Sequence, residues 1–268
     1  MTRFSVVTPT YNRRSIVPRA IDSSLAFARA VGDSEVIVID DASQDGTADM
    51  IRSAYAQDLV SGTLKLVERQ TNGGSTVAKS DGARRASGEW LIFLDSDDQL
   101  LPEASSSIPA FVATHSSAPV FFFRCVDQEG RPIGPPVPPR PLSFSDFVSD
   151  LPFFATPGEC LPVISRLAFL EFPSDKDALG FELMSAIRIL RKHGPAMLSD
   201  DIARIYHMDG SDRLTSRAGN LRRADQLVRG FSRMLHEFGP MMPLRQRMKI
   251  HLRIVCYGAV AACGFGRR

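Results

Sequence analysis

The chain has 268 residues, 44% hydrophobic and 23% charged, with a net charge of +2. That is the composition of an ordinary globular protein, large enough for one big domain or two small ones, and it excludes a global attraction to nucleic acid. No apolar run reaches the ~20 residues of a membrane span, and Cys125, Cys160, Cys256 and Cys263 lack metal-ligand spacing, which predicts free thiols in a reducing cytoplasm.

The charge is unevenly spread. Residues 1–203 hold 19 Lys/Arg against 26 Asp/Glu, whereas residues 204–268 hold 13 against 4. Such a basic C-terminal part predicts an anionic surface as its partner. The N-terminus opens directly on a strand-like run, so no signal peptide is expected.

Taken in order, Phe4–Thr8 is apolar and β-branched and predicts a first strand, which Pro9 should stop. In the turn that follows, Tyr11 offers a ring face to a planar base and Arg13 a cation to a phosphate. A helix is expected over 15–31 and a second buried strand over 35–39. The strand ends in Asp40-Asp41-Ala42-Ser43, then Asp45-Gly46-Thr47, with Asp45 or Thr47 capping the next helix. A carboxylate at such a strand end suits a base or ribose.

Residues 63–67 alternate and predict a third strand near an edge. Asn72-Gly73-Gly74-Ser75 reads as a turn whose backbone N–H groups suit a phosphate at the start of a helix over 76–86, with Gly88 closing it. Trp90–Leu94 is a fourth buried strand running into Asp95-Ser96-Asp97-Asp98. Three carboxylates this close repel and raise one another's pKa unless a cation lies among them, and hard divalent cations prefer such oxygens. An acidic turn is common by chance; its position at a strand end is what makes it a candidate site.

The second half is less regular. Helices are expected over 102–114, 144–151 and 180–190, strands over 119–124, 158–166 and 203–207, and an extended Pro-rich loop over 130–141. In the tail, Leu244, Met248, Leu252, Val255 and Ala259 share one helical stripe with Arg245, Lys249 and Arg253 beside it. That pattern fits either a helix lying on an anionic membrane or one packed on the domain.

Order and spacing across residues 4–102 resemble the family 2 glycosyltransferases of the GT-A fold. The motifs are Pro9-Thr10-Tyr11-Asn12, Asp40-Asp41-Ala42-Ser43, Asp45-Gly46-Thr47, Asn72-Gly73-Gly74, Ala78-Lys79-Ser80-Asp81-Gly82, Ala86-Ser87-Gly88-Glu89 and Asp95-Ser96-Asp97-Asp98. The resemblance implies an α/β fold with a Rossmann-like nucleotide-binding half (1–102), an acceptor-binding half (103–235) and a basic C-terminal helical tail (236–268). It implies inverting, metal-dependent transfer from a nucleotide-sugar, a UDP-sugar being the family's commonest donor, to a glycan or lipid-linked glycan in surface polysaccharide assembly.

The resemblance implies donor contacts from Pro9, Tyr11, Arg13, Asp40, Lys79, Asp95 and Ser96. It implies Mn2+ or Mg2+ at Asp97 and Asp95, with Asp98 and either His207 or Asp209 as further candidate ligands. Glu182 falls in the slot of the catalytic base. Three departures stand out: Lys79 replaces the family's Arg, Phe181 replaces the acid before the base, and Tyr206-His207-Met208-Asp209 replaces Tyr-Arg-x-His. The expected location is cytoplasmic, peripheral at the inner face of the cytoplasmic membrane. A nucleotidyltransferase, or a sugar-nucleotide-binding relative without catalysis, is the alternative; the former usually carries a Gly-rich loop after strand one, and Thr8–Asn12 has no glycine.

Overall fold

A computed structural model of the protein describes residues 4–150, 158–176, 181–207 and 217–263. The first half runs β1 (Phe4–Thr10), α1 (Val17–Val31), β2 (Ser34–Asp40), α2 (Thr47–Ala54), α3 (Ala56–Ser61), β3 (Leu64–Glu68), α4 (Ser75–Arg85), β4 (Trp90–Phe93) and β5 (Gln99–Leu100). The second half runs α5 (Ala104–Thr114), β6 (Val120–Val126), β7 (Arg140–Leu142), α6 (Phe144–Asp150), β8 (Cys160–Ser165), α7 (Arg166–Glu171), α8 (Leu183–His193) and β9 (Ala196–Ile205). It closes with α9 (Arg217–Arg222), α10 (Ala224–Phe238) and α11 (Leu244–Ala262).

One mixed sheet carries both halves, in the order β3-β2-β1-β4-β8-β6-β9-β5, with β7 also paired to β9. The β3-β2-β1-β4 half is parallel, as βαβ crossovers require. From β4 onward the pairing changes: β8 is antiparallel to β4 and β6, while β9 is parallel to β6. The third strand lies at the sheet edge, as its alternating pattern predicts. The expected 102/103 boundary marks no break in the sheet, because β5 from the first half pairs with β9 from the second.

Helices cover both faces, and successive residues of each strand enter different cores. Val7, Ile37, Leu91, Phe93, Val120 and Phe122 pack beneath α4, α7 and α8. Their neighbours Val6, Ile92, Phe121 and Phe123 pack on the α1 and α5 side. β1, β2, β4 and β6 are thus buried on both faces, which is why continuous apolar runs rather than alternation mark them.

Several local expectations need correction. Pro9 does not stop the first strand: β1 continues through Pro9, opposite Ile39, to Thr10, opposite Asp40. Gly88 does not cap α4, which ends at Arg85. A Cβ at Gly88 would meet the backbone of Phe4 and Ser5 at 2.8 Å, so its missing side chain lets the chain cross close under β1. Gly82 does the same on α4, where a Cβ would meet Val7 at 2.3 Å. The 203–207 strand is the end of a ten-residue one, β9, and the tail expected from 236 begins inside α10. Among the described residues, no helix is long and apolar enough to cross a membrane.

Candidate active site

The site is assembled at the carboxyl ends of β1, β2 and β4, which lie side by side because their register is parallel. The turn after β1 is tied to the turn after β2. The Asn12 N–H donates to Ser43 Oγ at 2.9 Å, and the Gln44 N–H donates to Asn12 Oδ1 at 2.7 Å. The Arg14 N–H donates to Asp45 Oδ2 at 3.1 Å, and Asp45 Oδ1 also accepts the Thr47 N–H at 3.0 Å, but the N-cap of α2 is Gly46, in a left-handed conformation, and neither Asp45 nor Thr47 as expected. Asn12 pays for this with a left-handed φ of 51°, a conformation its short polar side chain tolerates. Tyr11 stays exposed on this ledge, and Pro9 lies buried behind it.

Asp40 and Asp41 divide the labour at the end of β2. Asp40 is buried and accepts the Ser43 N–H at 2.9 Å. Asp41 is also buried; it pairs with Arg69 and accepts the Gly74 N–H at 2.7 Å and the Gly73 N–H at 3.0 Å. The two N–H groups expected to face a phosphate are therefore spent on Asp41, which fixes the turn opening α4. Sequence reasoning assigned Asp41 no role of its own. The signal was present: an acid next to Asp40 and a Gly-Gly turn downstream needing its amides satisfied.

α4 brings Lys79 over the end of β4, where its Nζ lies 2.8 Å from Asp95 Oδ1. Burial pulls Lys79 toward the neutral form, but Asp95 and Glu182 outweigh it and hold its pKa above the ordinary value. For Asp95, burial pushes up while Lys79 and, more weakly, Arg204 pull down, leaving it below the ordinary carboxylate range. Glu182, at the start of α8, enters from the second half: Thr76 Oγ1 on α4 donates to its Oε1 at 3.4 Å. Two residues 106 positions apart thereby face one another beside the Lys79–Asp95 pair. Packing sets that approach, because Phe181 lies against Gly230 of α10, where a Cβ would sit 2.3 Å from the ring, and edge-on to Phe231.

The acids of Asp95-Ser96-Asp97-Asp98 have separate surroundings. Ser96 is buried between them. Asp98 is buried, its Oδ1 accepting the His207 N–H at 3.0 Å and its Oδ2 lying 3.3 Å from Arg204 Nη1 without hydrogen-bond geometry. Burial, opposed by Arg204 and aided by Asp95, pushes the Asp98 carboxyl up to about 7. Arg204, almost fully buried, also reaches Glu159 at 2.8 Å, and its pKa is held well above the ordinary value: burial would lower it, but Cys125, Glu159 and Asp98 outweigh that. Arg204 is a further residue the sequence reading passed over, a lone charge within the apolar end of β9.

Asp97 is only partly buried and makes no hydrogen bond or ion pair with another side chain among the described residues. Burial, and then Asp95, raise its pKa, while Arg13 and Arg19 attract it weakly. Among the described residues, no three His, Cys, Asp or Glu side chains are grouped to hold a metal ion. The donor set nevertheless fits a hard divalent cation: an unpartnered carboxylate beside a second one, both oxygen ligands, leaving the remaining positions to water and diphosphate. The ring of His207 is engaged on both sides, Nε2 at 3.0 Å from Gln99 Oε1 and Nδ1 at 3.2 Å from Arg19 Nη1. A metal would have to displace one of these contacts. Asp209 lies outside the described residues.

Comparison with known proteins agrees with this architecture. The Glycosyl transferase family 2 profile matches residues 5–157, more than half of the chain. The poly(ribitol-phosphate) beta-N-acetylglucosaminyltransferase TarS of Staphylococcus aureus is 32% identical over 118 residues, 44% of this chain and 20% of TarS. A PGL/p-HBAD biosynthesis glycosyltransferase of Mycobacterium bovis is 31% identical over 120 residues, 44% of this chain and 45% of its own. The matched segments thus span less than half the length of these relatives.

The crystal structure of S. aureus TarS 1–349 superimposes over 95% of this chain and 71% of its own, with a TM-score of 0.65 at 16% identity. The mannosyltransferase PcManGT of Pyrobaculum calidifontis, in complex with GDP-Man and Mn2+, superimposes over 99% of this chain and 76% of its own, with a TM-score of 0.66 at 20% identity. With strand-end motifs, sheet order and profile in agreement, the chain belongs to glycosyl transferase family 2 and has its GT-A fold.

Proposed function

We propose that the protein is an inverting glycosyltransferase that moves a sugar from a nucleoside diphosphate donor, a UDP-sugar, to a hydroxyl of a glycan or lipid-linked glycan acceptor. The observation that carries this reading is the meeting of Glu182 with Thr76 beside the Lys79–Asp95 pair, which sets a candidate base against a candidate diphosphate site. The UDP and UDP-GlcNAc complexes of TarS, which shares the fold, support the choice of donor. A lipid-linked acceptor would bring the enzyme to the inner face of the cytoplasmic membrane.

In the reaction, the acceptor O–H gives its proton to Glu182 as its oxygen attacks the anomeric carbon. The anomeric C–O bond to the diphosphate breaks on the opposite face, so the configuration inverts and the nucleoside diphosphate leaves with the electron pair. Pro9, Tyr11 and Asp40 line the base end of the donor, while Arg13 and Ser96 lie toward the phosphates. Lys79, kept charged by Asp95 and Glu182, stabilises the diphosphate as negative charge builds on it. A divalent cation, Mn2+ or Mg2+, held by Asp97 with Asp95 alongside, would supply Lewis-acid neutralisation of the same charge.

The test is a panel of nucleotide-sugars incubated with the protein and Mn2+, reading the released nucleotide. The expected product is UDP; in a parallel assay with a nucleoside triphosphate and a sugar 1-phosphate, release of pyrophosphate would mean nucleotidyl transfer instead. Glu182→Gln should bind UDP as the parent does while transfer falls by roughly 10²–10⁴. Unchanged transfer in that variant removes Glu182 as the base, and no turnover by the parent with any donor leaves a binding protein.

A further inference from the structure

Helix α11 has two apolar faces, and among the described residues only one of them has a partner. The inner face packs on α10. There Ile250 is fully buried, Gln246 donates from Nε2 to Ser149 O at 2.7 Å, Tyr257 stacks on Phe231 with centroids 6.2 Å apart, and Arg253 lies over the same Phe231 ring. Arg253 is therefore committed to the domain and not to the outer flank expected for it. The stripe read from the sequence points the other way. Leu244, Met248, Leu252 and Val255 are 62–68% exposed. At 3.6 residues per turn they fall within an arc of about 80° directed away from the domain.

The charges around the stripe are arranged just as selectively. Arg245 and Lys249 border it on one side and Arg247 and His251 on the other, all exposed, and α11 contains no Asp or Glu. We propose that this outer face is a docking surface for an anionic lipid bilayer, with the four apolar side chains entering the acyl boundary and the basic rims meeting the headgroups. A second copy of the chain is a poorer match, because apposing two such faces brings basic rims together and offers only a narrow apolar strip, well short of a stable interface.

The contact also has a bearing on the site. Tyr257 of α11 stacks on Phe231, whose centroid lies 4.9 Å from that of Phe181, the residue before Glu182. One aromatic line thus joins the docking helix to the candidate base. A membrane under α11 holds that base close to the headgroup layer, where a lipid-linked acceptor presents its hydroxyl. This use of the surface rests on the transferase reading; the docking itself does not.

The experiment is co-sedimentation of the full chain with phosphatidylglycerol/phosphatidylcholine vesicles and with pure phosphatidylcholine vesicles, without any donor. Binding to the anionic vesicles should be at least roughly tenfold tighter and should weaken with salt. The paired variant Met248→Glu/Leu252→Glu should lose it by a similar factor, and Arg245→Gln/Lys249→Gln should reduce it less, with thermal midpoints unchanged because all four residues are exposed. Equal binding to neutral vesicles, or equal binding by the Met248→Glu/Leu252→Glu pair, overturns the proposal. So does a lipid-free dimer, seen by sedimentation velocity, that the same pair dissociates. UDP affinity measured on the same samples keeps the two readings apart, since a protein that binds vesicles but no nucleotide fails only the transferase reading.

Discussion

The two halves of the sheet hold their functional groups by different means. In the parallel half, hydrogen bonds between turns do the holding: Asn12 to Ser43 and Gln44, Arg14 to Asp45, Asp41 to Gly73 and Gly74. Glu35 belongs to the same set, buried beneath the strands, accepting from Ser5 Oγ at 2.7 Å and from the Ser87 N–H at 2.6 Å and pairing with Lys65. In the mixed half, Glu182 is located by a ring against a glycine, Phe181 on Gly230. Hydrogen-bonded turns fix the strand-end side chains to within the tolerance of bond geometry. A base carried on packed aromatics can be re-aimed by changing a methyl group.

The largest expected effect bears on the parallel half. Asp97→Ala removes the acid that pairs with no other side chain among the described residues, and kcat/KM should fall by about 10²–10³ with loss of Mn2+-dependent donor binding; near-parental turnover at saturating Mn2+ would remove Asp97 from the metal assignment. Asp41→Ala takes from Arg69 one of its two carboxylate partners and from the Gly73 N–H its acceptor, while Asp81 still pairs with Arg69 and Asn72 still accepts from Gly74; it should cost about 1–3 kcal/mol in denaturant melts, with the donor KM raised. A small loss there would mean that hydrogen-bonded turns do not hold the donor pocket.

Glu35 gives the comparison a pH signature. Burial opposes its ionisation, but Lys65, Ser5 and Ser87 more than offset this and lower its pKa to about 2 from an ordinary 4.5. A carboxylate whose pKa is lower when folded stabilises the protein above its unfolded value and loses that contribution as pH falls. The parent should thus shed on the order of 3 kcal/mol between pH 4.5 and 2 on account of Glu35. Glu35→Gln should be less stable at pH 7 and flatter over that range; parallel stability curves for the two proteins would refute the assignment.

The smallest effect tests the mixed half. Gly230→Ala pushes a methyl into the Phe181 ring and should cost about 1–3 kcal/mol. Because Phe181 adjoins Glu182, kcat should fall several-fold while UDP affinity stays unchanged. A change in UDP affinity with kcat preserved would contradict the division between the halves.

That division also sets what could be read from the residues alone. β1, β2 and β4 are short apolar runs ending in polar turns, so the gathering of Asp40, Lys79 and the Asp95–Asp98 cluster at one edge of the sheet was legible. Pro9 misled because a strand can carry a proline where no ladder donor is needed. β9 was seen only in its last residues. Ser199-Asp200-Asp201 interrupts its apolar pattern where the register against β6 slips, Phe122 facing Leu198 and Arg124 facing Ile202. β8 was legible over 158–166 even though Pro162 lies within it, opposite Phe122. Arg204, Gly230 and the outward turn of α11 depend on which elements pack together, and no local pattern encodes that.

The burial of Arg204 under the acidic turn has a consequence for how the protein lives between reactions. Asp98 rests on Arg204 and Asp95 on Lys79, so the cluster carries two built-in counterions of its own. A chain whose acids were balanced only by a captured ion would be hostage to that ion's supply. Here two of the three acids are balanced by cations of the chain itself, so the scaffold around the turn does not wait on a captured ion to form.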